Sequence, residues 1–233
     1  MPEEITGGID TKRKLRVYVA TFGCQKNEMN SKGFFITFEG AEGSGKSTQI
    51  RRAAAYLKKR RLKFVLLREP GGTRVGEAIR EIILNKSFKE TAPETELLLY
   101  LAARAQIVRE KILPALRKGR VVICDRFEDS TVAYQGFGRG IPRAAIETAS
   151  RLFVRGSLAP DRTFLLDIDP AEGMRRGGRR DRMERQSIRF HRAVRKGFLD
   201  IARKNPKRFC VIDARLPVEK AARKIRETLD RDL

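Results

Sequence analysis

An α/β sandwich around a mostly parallel sheet is the fold this sequence predicts, and three observations carry the prediction. Five short apolar runs have strand length and are nearly continuous in hydrophobicity, as expected of strands buried on both faces. Segments with helical periodicity fall between them. A glycine-rich loop follows the first run directly and opens one of those helical segments. Strand alternating with helix is the pattern of a parallel sheet covered on both sides.

The five runs are Phe34–Phe38, Leu62–Leu67, Val121–Asp125, Thr163–Asp169 and Phe209–Asp213, all rich in β-branched and aromatic residues. Lys46–Arg60 is the helix that leaves the glycine loop. Thr95–Arg117 repeats Leu97, Leu98, Leu101, Ala105, Val108 and Ile112 at helical spacing, which predicts a buried stripe. Ile188–Ala202 and Val218–Leu229 are the remaining helices, the second behind Pro217 at a plausible start. The order of the strands is not legible from this pattern.

Bulk composition bounds the function. A chain of 233 residues suits one domain, or one domain with an appendage. No apolar run approaches the ~20 residues of a membrane helix, and Met1–Asp10 carries three acids and no base, unlike a secretory leader. Cys24, Cys124 and Cys210 lie far apart with no CxxC pair, so the expected compartment is the cytoplasm. The net charge is +22, and half of it falls between Arg175 and Arg208. Most of that stretch reads as a solvated, screened face. Nucleic acid is not an expected partner: the chain has no Trp, and its bases are not interleaved with aromatics.

Gly40-Ala41-Glu42-Gly43-Ser44-Gly45-Lys46-Ser47, followed by Thr48, matches G-x4-G-K-[ST] in full. Such a P-loop points successive backbone N–H groups into one concavity at the positive end of a helix. Lys46 then reaches the β- and γ-phosphates of ATP, and the Ser47 hydroxyl ligates Mg²⁺. These nine residues are the candidate ATP site. Asp125, at the end of an apolar strand, is a second candidate metal ligand, with turn-capping as the plainer alternative. The fold class sharpens to a P-loop NTPase three-layer sandwich with a five-stranded parallel sheet.

Five blocks extend the reading: FEGAEGSGKSTQ (Phe38–Gln49), REPGGT (Arg68–Thr73), LLYLAARAQ (Leu98–Gln106), DRFEDSTVAYQGFGRG (Asp125–Gly140) and DRME (Asp181–Glu184). Their order and spacing resemble the thymidylate kinase family from about residue 33 to the C-terminus. The resemblance implies transfer of the γ-phosphate of ATP·Mg²⁺ to thymidine 5′-monophosphate, and a homodimer. It implies that Tyr100 stacks on the thymine, where Phe is more usual, and that Arg104 hydrogen-bonds the base. By the same resemblance Arg126 would grip the acceptor phosphate with Asp125 beside it, and Glu42 would face the acceptor sugar and Arg126. Thr131 would meet the base edge, Tyr134 would crowd the sugar 2′ position, and Pro70 and Gln135 would complete the acceptor wall. Phe127 stands where Tyr or His is more usual. Singly, Tyr100 reads as core, Arg104 as a surface arginine and Tyr134 as loop filling; as one spaced set they read as a nucleotide pocket.

The acceptor phosphate is largely ionised at neutral pH, so the chemistry needs positioning and charge neutralisation rather than a general base. Members of the family carry either an arginine inside the P-loop or glycine there with arginines in a lid. Here the loop has Gly43, and Met174–Arg182 holds Arg175, Arg176, Arg179, Arg180 and Arg182 around two glycines. One or more of Arg175, Arg176, Arg179 and Arg180 is therefore expected to act with Lys46 and Arg126 in catalysis; the others read as a solvated basic turn. The bases from Arg185 to Arg208 read as an exposed helical face, decorated by His191.

Residues 1–32 fall outside the kinase pattern and read as a dispensable extension. Arg16–Ser31 resembles the opening of the radical-SAM tRNA methylthiotransferases, with Cys24 at a cluster-cysteine position but without the CxxxCxxC motif. Two rival functions remain at this level. A deoxynucleoside kinase would require a base beside an acceptor hydroxyl, and a nucleic-acid-binding ATPase would bind with steep salt dependence.

Overall fold

The computed structural model describes residues 33–156, 158–176 and 181–233. The extension through residue 32, with its methylthiotransferase-like segment, lies outside the described residues, as do Arg179 and Arg180.

All five apolar runs are strands of one sheet. They are β1 (Phe34–Glu39), β2 (Phe64–Arg68), β3 (Val121–Asp125), β4 (Arg162–Asp167) and β5 (Phe209–Asp213). Their order is β2-β3-β1-β4-β5, and every pairing is parallel. Alternate residues of β1 and β3 feed opposite cores, as a period of two requires. Ile36, Phe38 and Ile123 pack with Phe164 and Leu166 on one face; Phe35, Val122 and Cys124 pack on the other. Phe35, Ile36, Phe38, Val122 and Ile123 have no exposed surface, which explains runs without polar alternation.

Helix α1 (Lys46–Lys59) and the C-terminal helix α9 (Val218–Asp232) cover the first face through Ile50, Leu57, Ile225 and Leu229. The predicted helix over residues 95–117 is three pieces of one rod: α3 (Pro93–Ile107), a π-helical turn (Val108–Ile112) and α4 (Leu113–Arg117). Pro114 lacks the N–H that an α-helix would use there, and just before it the Leu113 N–H reaches back to Val108 O.

Further helices are additional to those the periodicity predicts. They are α2 (Arg74–Leu84), α5 (Glu128–Thr131) running into a π-helical segment (Val132–Gly138), α6 (Arg143–Ser150) continued by Arg151–Arg155, and α7 (Pro170–Arg176).

Helix α8 (Ile188–Lys204) starts at Ser187, whose hydroxyl accepts from the Phe190 N–H at 3.2 Å. Its buried face corrects two expectations. His191 is 3% exposed and lies inside the molecule beside Phe190 rather than on the solvent face. The bases around α8 are not all solvated either. Arg195 pairs with Asp167 at 2.7 and 2.8 Å, and Arg208, beyond the helix end, pairs with Asp129 at 2.6 and 2.9 Å.

The central position of β1 decides where chemistry can sit. Its neighbours are β3 on one side and β4 on the other, so the loops leaving their carboxyl ends converge, as open α/β sheets require of a ligand crevice.

Candidate active site

The loop after β1 is shaped by glycine. Gly40, Gly43 and Gly45 have φ of +138°, +69° and +86°. At Gly43 a Cβ would lie 2.0 Å from the carbonyl oxygen of Gly173 in α7, and a Cβ on Gly173 would lie 2.4 Å from Glu42 O. Two backbones touch there, and neither position has room for a side chain. Lys46 Nζ donates to Gly40 O at 3.0 Å and Ala41 O at 2.8 Å, which holds it across the loop. Burial, with Arg126 close by, pushes its ammonium down to about 8, against the pull of Glu42, Asp125 and Glu39.

A cavity of about 330 Å³ opens beside the loop. It gathers Glu42, Gly43, Lys46 and Ser47 with Asp125, Arg126, Thr131, Tyr134 and Gln135, and with Pro70, Tyr100 and Arg104. Twelve of the expected site residues therefore line one cavity. Gly40, Ala41, Ser44, Gly45 and Thr48 form the loop without lining this cavity.

Arg126, Glu42 and Tyr134 form one unit within it. Arg126 Nη2 donates to Glu42 Oε1 at 2.7 Å, the Tyr134 hydroxyl donates to the same carboxylate at 2.8 and 2.9 Å, and the guanidinium lies 5.2 Å over the Tyr134 ring. Burial works to raise the Glu42 pKa, but Arg126, Lys46 and the Tyr134 hydroxyl outweigh it, so the carboxyl sits below its usual range. His191 Nδ1 lies 3.9 Å from Glu42 Oε2, beyond hydrogen-bond reach.

The opposite wall comes from α3. Tyr100 and Arg104, one turn apart, both face the cavity. Arg104 is 1% exposed rather than a surface residue. Its Nε donates to Glu69 at 2.7 Å, and its guanidinium stacks 5.1 Å from the centre of the Phe127 ring. Among the described residues its Nη1 has no hydrogen-bond partner, nor has the Thr131 hydroxyl. Buried donors without partners lining a cavity are suited to a base edge. The unusual Phe127 is accounted for here: it is fully buried, packs edge-on against Phe35 and supports the arginine.

For a divalent cation, the Asp125 Oδ1 is buried without a hydrogen-bond partner among the described residues, and Ser47 lines the same cavity. Two hard oxygen donors with room for phosphate and water fit Mg²⁺, which seldom takes an all-protein cage.

The arginine cluster divides. Arg176 pairs with Glu172 and donates to Ala214 O at 2.8 Å, so it is engaged away from the cavity, and Arg175 is exposed at the end of α7. Arg182 is 7% exposed; it donates to Ile83 O at 2.8 Å and pairs with Glu96 at 2.7 Å.

Sequence reasoning missed several wall and support residues. Glu69, Arg80, Asp181, Met183 and Glu184 line the cavity, while Glu39 and Glu96 support it from behind. A carboxylate that directly ends an apolar run, as Glu39 does after Phe38, was the available signal, since such a group is buried only when bonded.

A model of the thymidylate kinase family matches residues 38–225. The thymidylate kinase of Kosmotoga olearia is 48% identical over 189 residues, which cover 80% of this chain and 90% of the relative. That of Pelotomaculum thermopropionicum is 51% identical over 187 residues, covering 78% and 86%. The crystal structure of thymidylate kinase from Ehrlichia chaffeensis superposes with a TM-score of 0.71 at 36% identity, covering 85% of this chain and 99% of that one. The methylthiotransferase resemblance of Arg16–Ser31 is not borne out: these matches are all to thymidylate kinases.

Proposed function

The chain belongs to the thymidylate kinase family, and on that premise we propose how its residues divide the transfer of phosphate from ATP to thymidine 5′-monophosphate. The carrying observation is one cavity that joins the Lys46 loop to the Arg126–Glu42–Tyr134 unit and to Tyr100 and Arg104. Loop N–H groups and Lys46 take the donor phosphates. Arg126 presents a planar fork to the acceptor phosphate. Glu42 and Tyr134 bound the sugar, Tyr100 offers a ring face to the thymine, and Arg104 Nη1 and Thr131 offer polar groups to its edge. Pro70 and Gln135 close the wall. Ser47 and Asp125 would hold Mg²⁺, which when bound neutralises phosphate charge.

Among the lid arginines, Arg175, Arg179 and Arg180 are the candidates to approach ATP; Arg176 would have to leave Glu172 and Ala214 first. An Arg→Ala scan of the four tests this, and unchanged turnover throughout refutes it.

Residues 33–233 form the kinase domain in this reading, and the enzyme works in the cytoplasm as a homodimer. Exposed Leu98 and Phe153, each 63% accessible, support a covered face. Among the described residues no helix is long and apolar enough to cross a membrane.

ADP release measured in parallel with dTMP, dUMP, AMP, CMP and thymidine tests the assignment. Preference for dTMP is expected; preference for thymidine would overturn it.

A further inference from the structure

The arginine at the centre of the acceptor site sits in a backbone conformation that residues with a Cβ rarely adopt. Arg126 has φ of +70°, in the left-handed region. Such a residue persists only where its surroundings over-determine it. Here those surroundings come from the end of β1. The Arg126 N–H donates to Phe38 O at 3.0 Å. The next N–H, of Phe127, donates to Glu39 Oε1 at 2.7 Å. The peptide groups on both sides of the strained Cα are thus anchored on adjacent residues of one strand.

The second carboxyl oxygen of Glu39 reaches the guanidinium. Ser130 Oγ donates to Glu39 Oε2 at 2.5 Å and accepts from Arg126 Nη1 at 3.2 Å. One carboxyl therefore fixes the arginine's backbone directly and its side chain through a single hydroxyl. Glu39 has no exposed surface and is not part of the cavity wall. Its acidic neighbour Asp129 is already engaged by Arg208, so Glu39 alone receives the Phe127 N–H and the Ser130 hydroxyl.

We propose that Glu39 is a positioning residue for phosphoryl transfer: it sets where Arg126 presents its guanidinium to the acceptor phosphate while touching neither substrate. The proposal rests on the assignment of Arg126 to that phosphate. A merely structural role would lower thermal stability and leave both Michaelis constants alone. Positioning makes a different demand, because only the acceptor side passes through Arg126.

Steady-state kinetics of Glu39→Ala, Glu39→Gln and Ser130→Ala, each checked for folding by circular dichroism and Tm, separates the two. Glu39→Ala should lower kcat/KM for dTMP by roughly 30- to 100-fold while KM for ATP stays within about threefold. Glu39→Gln keeps an oxygen for the Phe127 N–H and a polar end for Ser130, and should restore activity to within about fivefold of wild type. Ser130→Ala removes the hydroxyl that joins Glu39 to the guanidinium and should raise KM for dTMP about fivefold or more, with a modest fall in Tm because Glu39 Oε2 loses its donor.

A folded Glu39→Ala enzyme with wild-type kcat/KM for dTMP would overturn the proposal. If that variant does not fold, an unchanged dTMP KM in Ser130→Ala overturns it instead. Wild-type turnover of dTMP in the same assay tests the assignment beneath it. Were another monophosphate preferred, that assignment would fail alone, and the variant-to-wild-type ratio on the preferred acceptor would still decide the role of Glu39.

Discussion

Gly43 shows how much a single position can fix. Its φ of +69° is strained for any side chain, and its missing Cβ is the space filled by Gly173 O. The sequence shows only that this loop lacks an arginine; the reason, a helix backbone lying against the loop, is a contact between residues 130 apart and has no local signal. Gly43→Ala should therefore push α7 off the loop. The expected cost is roughly 1–3 kcal/mol, read as a fall in Tm, together with a raised KM for ATP; a variant with both values unchanged would refute the packing argument. Glu39 gives a pH-dependent counterpart. Burial and the nearby Asp129 push its carboxyl up to about 8 from 4.5, against the pull of Ser130, Arg126 and the Phe127 N–H. Between those pH values the folded chain keeps a proton that the unfolded chain has lost, so stability falls as pH rises through the window. Glu39→Gln does not titrate. Its Tm relative to wild type should climb from pH 5 to pH 8, by several degrees if one pKa unit is about 1.4 kcal/mol. A flat difference across that range would exclude a raised pKa.

Elements were legible where their apolar residues repeat with one period. The inner strands β1 and β3 announced themselves because both faces are covered, and the edge strands β2 and β5 by apolar runs that leave Leu66 and Val211 each 47% exposed. The rod that begins with α3 was legible because Leu97, Leu101, Val108 and Ile112 are buried along one stripe, although Leu98 of the same predicted set is exposed. The helices over 128–138 and 143–155 are each broken into an α-helical and a π-helical piece, so no single period describes them. What joins these elements is a polar hub. Glu96, fully buried on α3, accepts from Gln135 Nε2 at 3.0 Å and Arg139 at 3.0 and 3.2 Å, and pairs with Arg182 at 2.7 Å. It ties the helix that carries Tyr100 and Arg104 to the segment after Arg126 and to the DRME block. The sequence could match DRME to a family yet not say that its arginine points inward, because a buried ion pair needs both partners in view. Removing one partner of such a pair is far worse than removing both. Glu96→Leu should cost about 3–5 kcal/mol. Pairing it with Arg182→Met should recover part of that loss, since fewer guanidinium groups are then left unpaired. Chemical denaturation of both singles and the double measures this, and strictly additive losses would rule out the hub.

At the scale of the whole molecule, the unusual quantity is the +22 charge, and the structure shows where much of its densest stretch goes. Arg176, Arg182, Arg195, Arg203, Lys204 and Arg208 all pair with carboxylates, three of them from distant elements. Screening by solvent was thus only part of the account; a basic tract also cross-links the fold. Charge patterning could not reveal this, since the acids involved lie elsewhere in the chain. The apolar surface left outside is more informative about assembly. Leu98 on α3 and Phe153 in the segment after α6 are each 63% exposed, and those two elements pack side by side. Large apolar side chains on one face, behind the helix that carries Tyr100 and Arg104, are what a second copy would cover. A stable interface buries on the order of 800 Å² per partner, and a charge in its centre would meet its own symmetry mate. Sedimentation should accordingly find wild type at twice the 26.5 kDa chain mass, and Leu98→Glu with Phe153→Glu at the single-chain mass. Dissociation would also make Tm depend on protein concentration in the wild type and not in the variant. A wild-type chain that sediments as a monomer at micromolar concentration would remove the dimer, leaving Leu98 and Phe153 as isolated exposed residues.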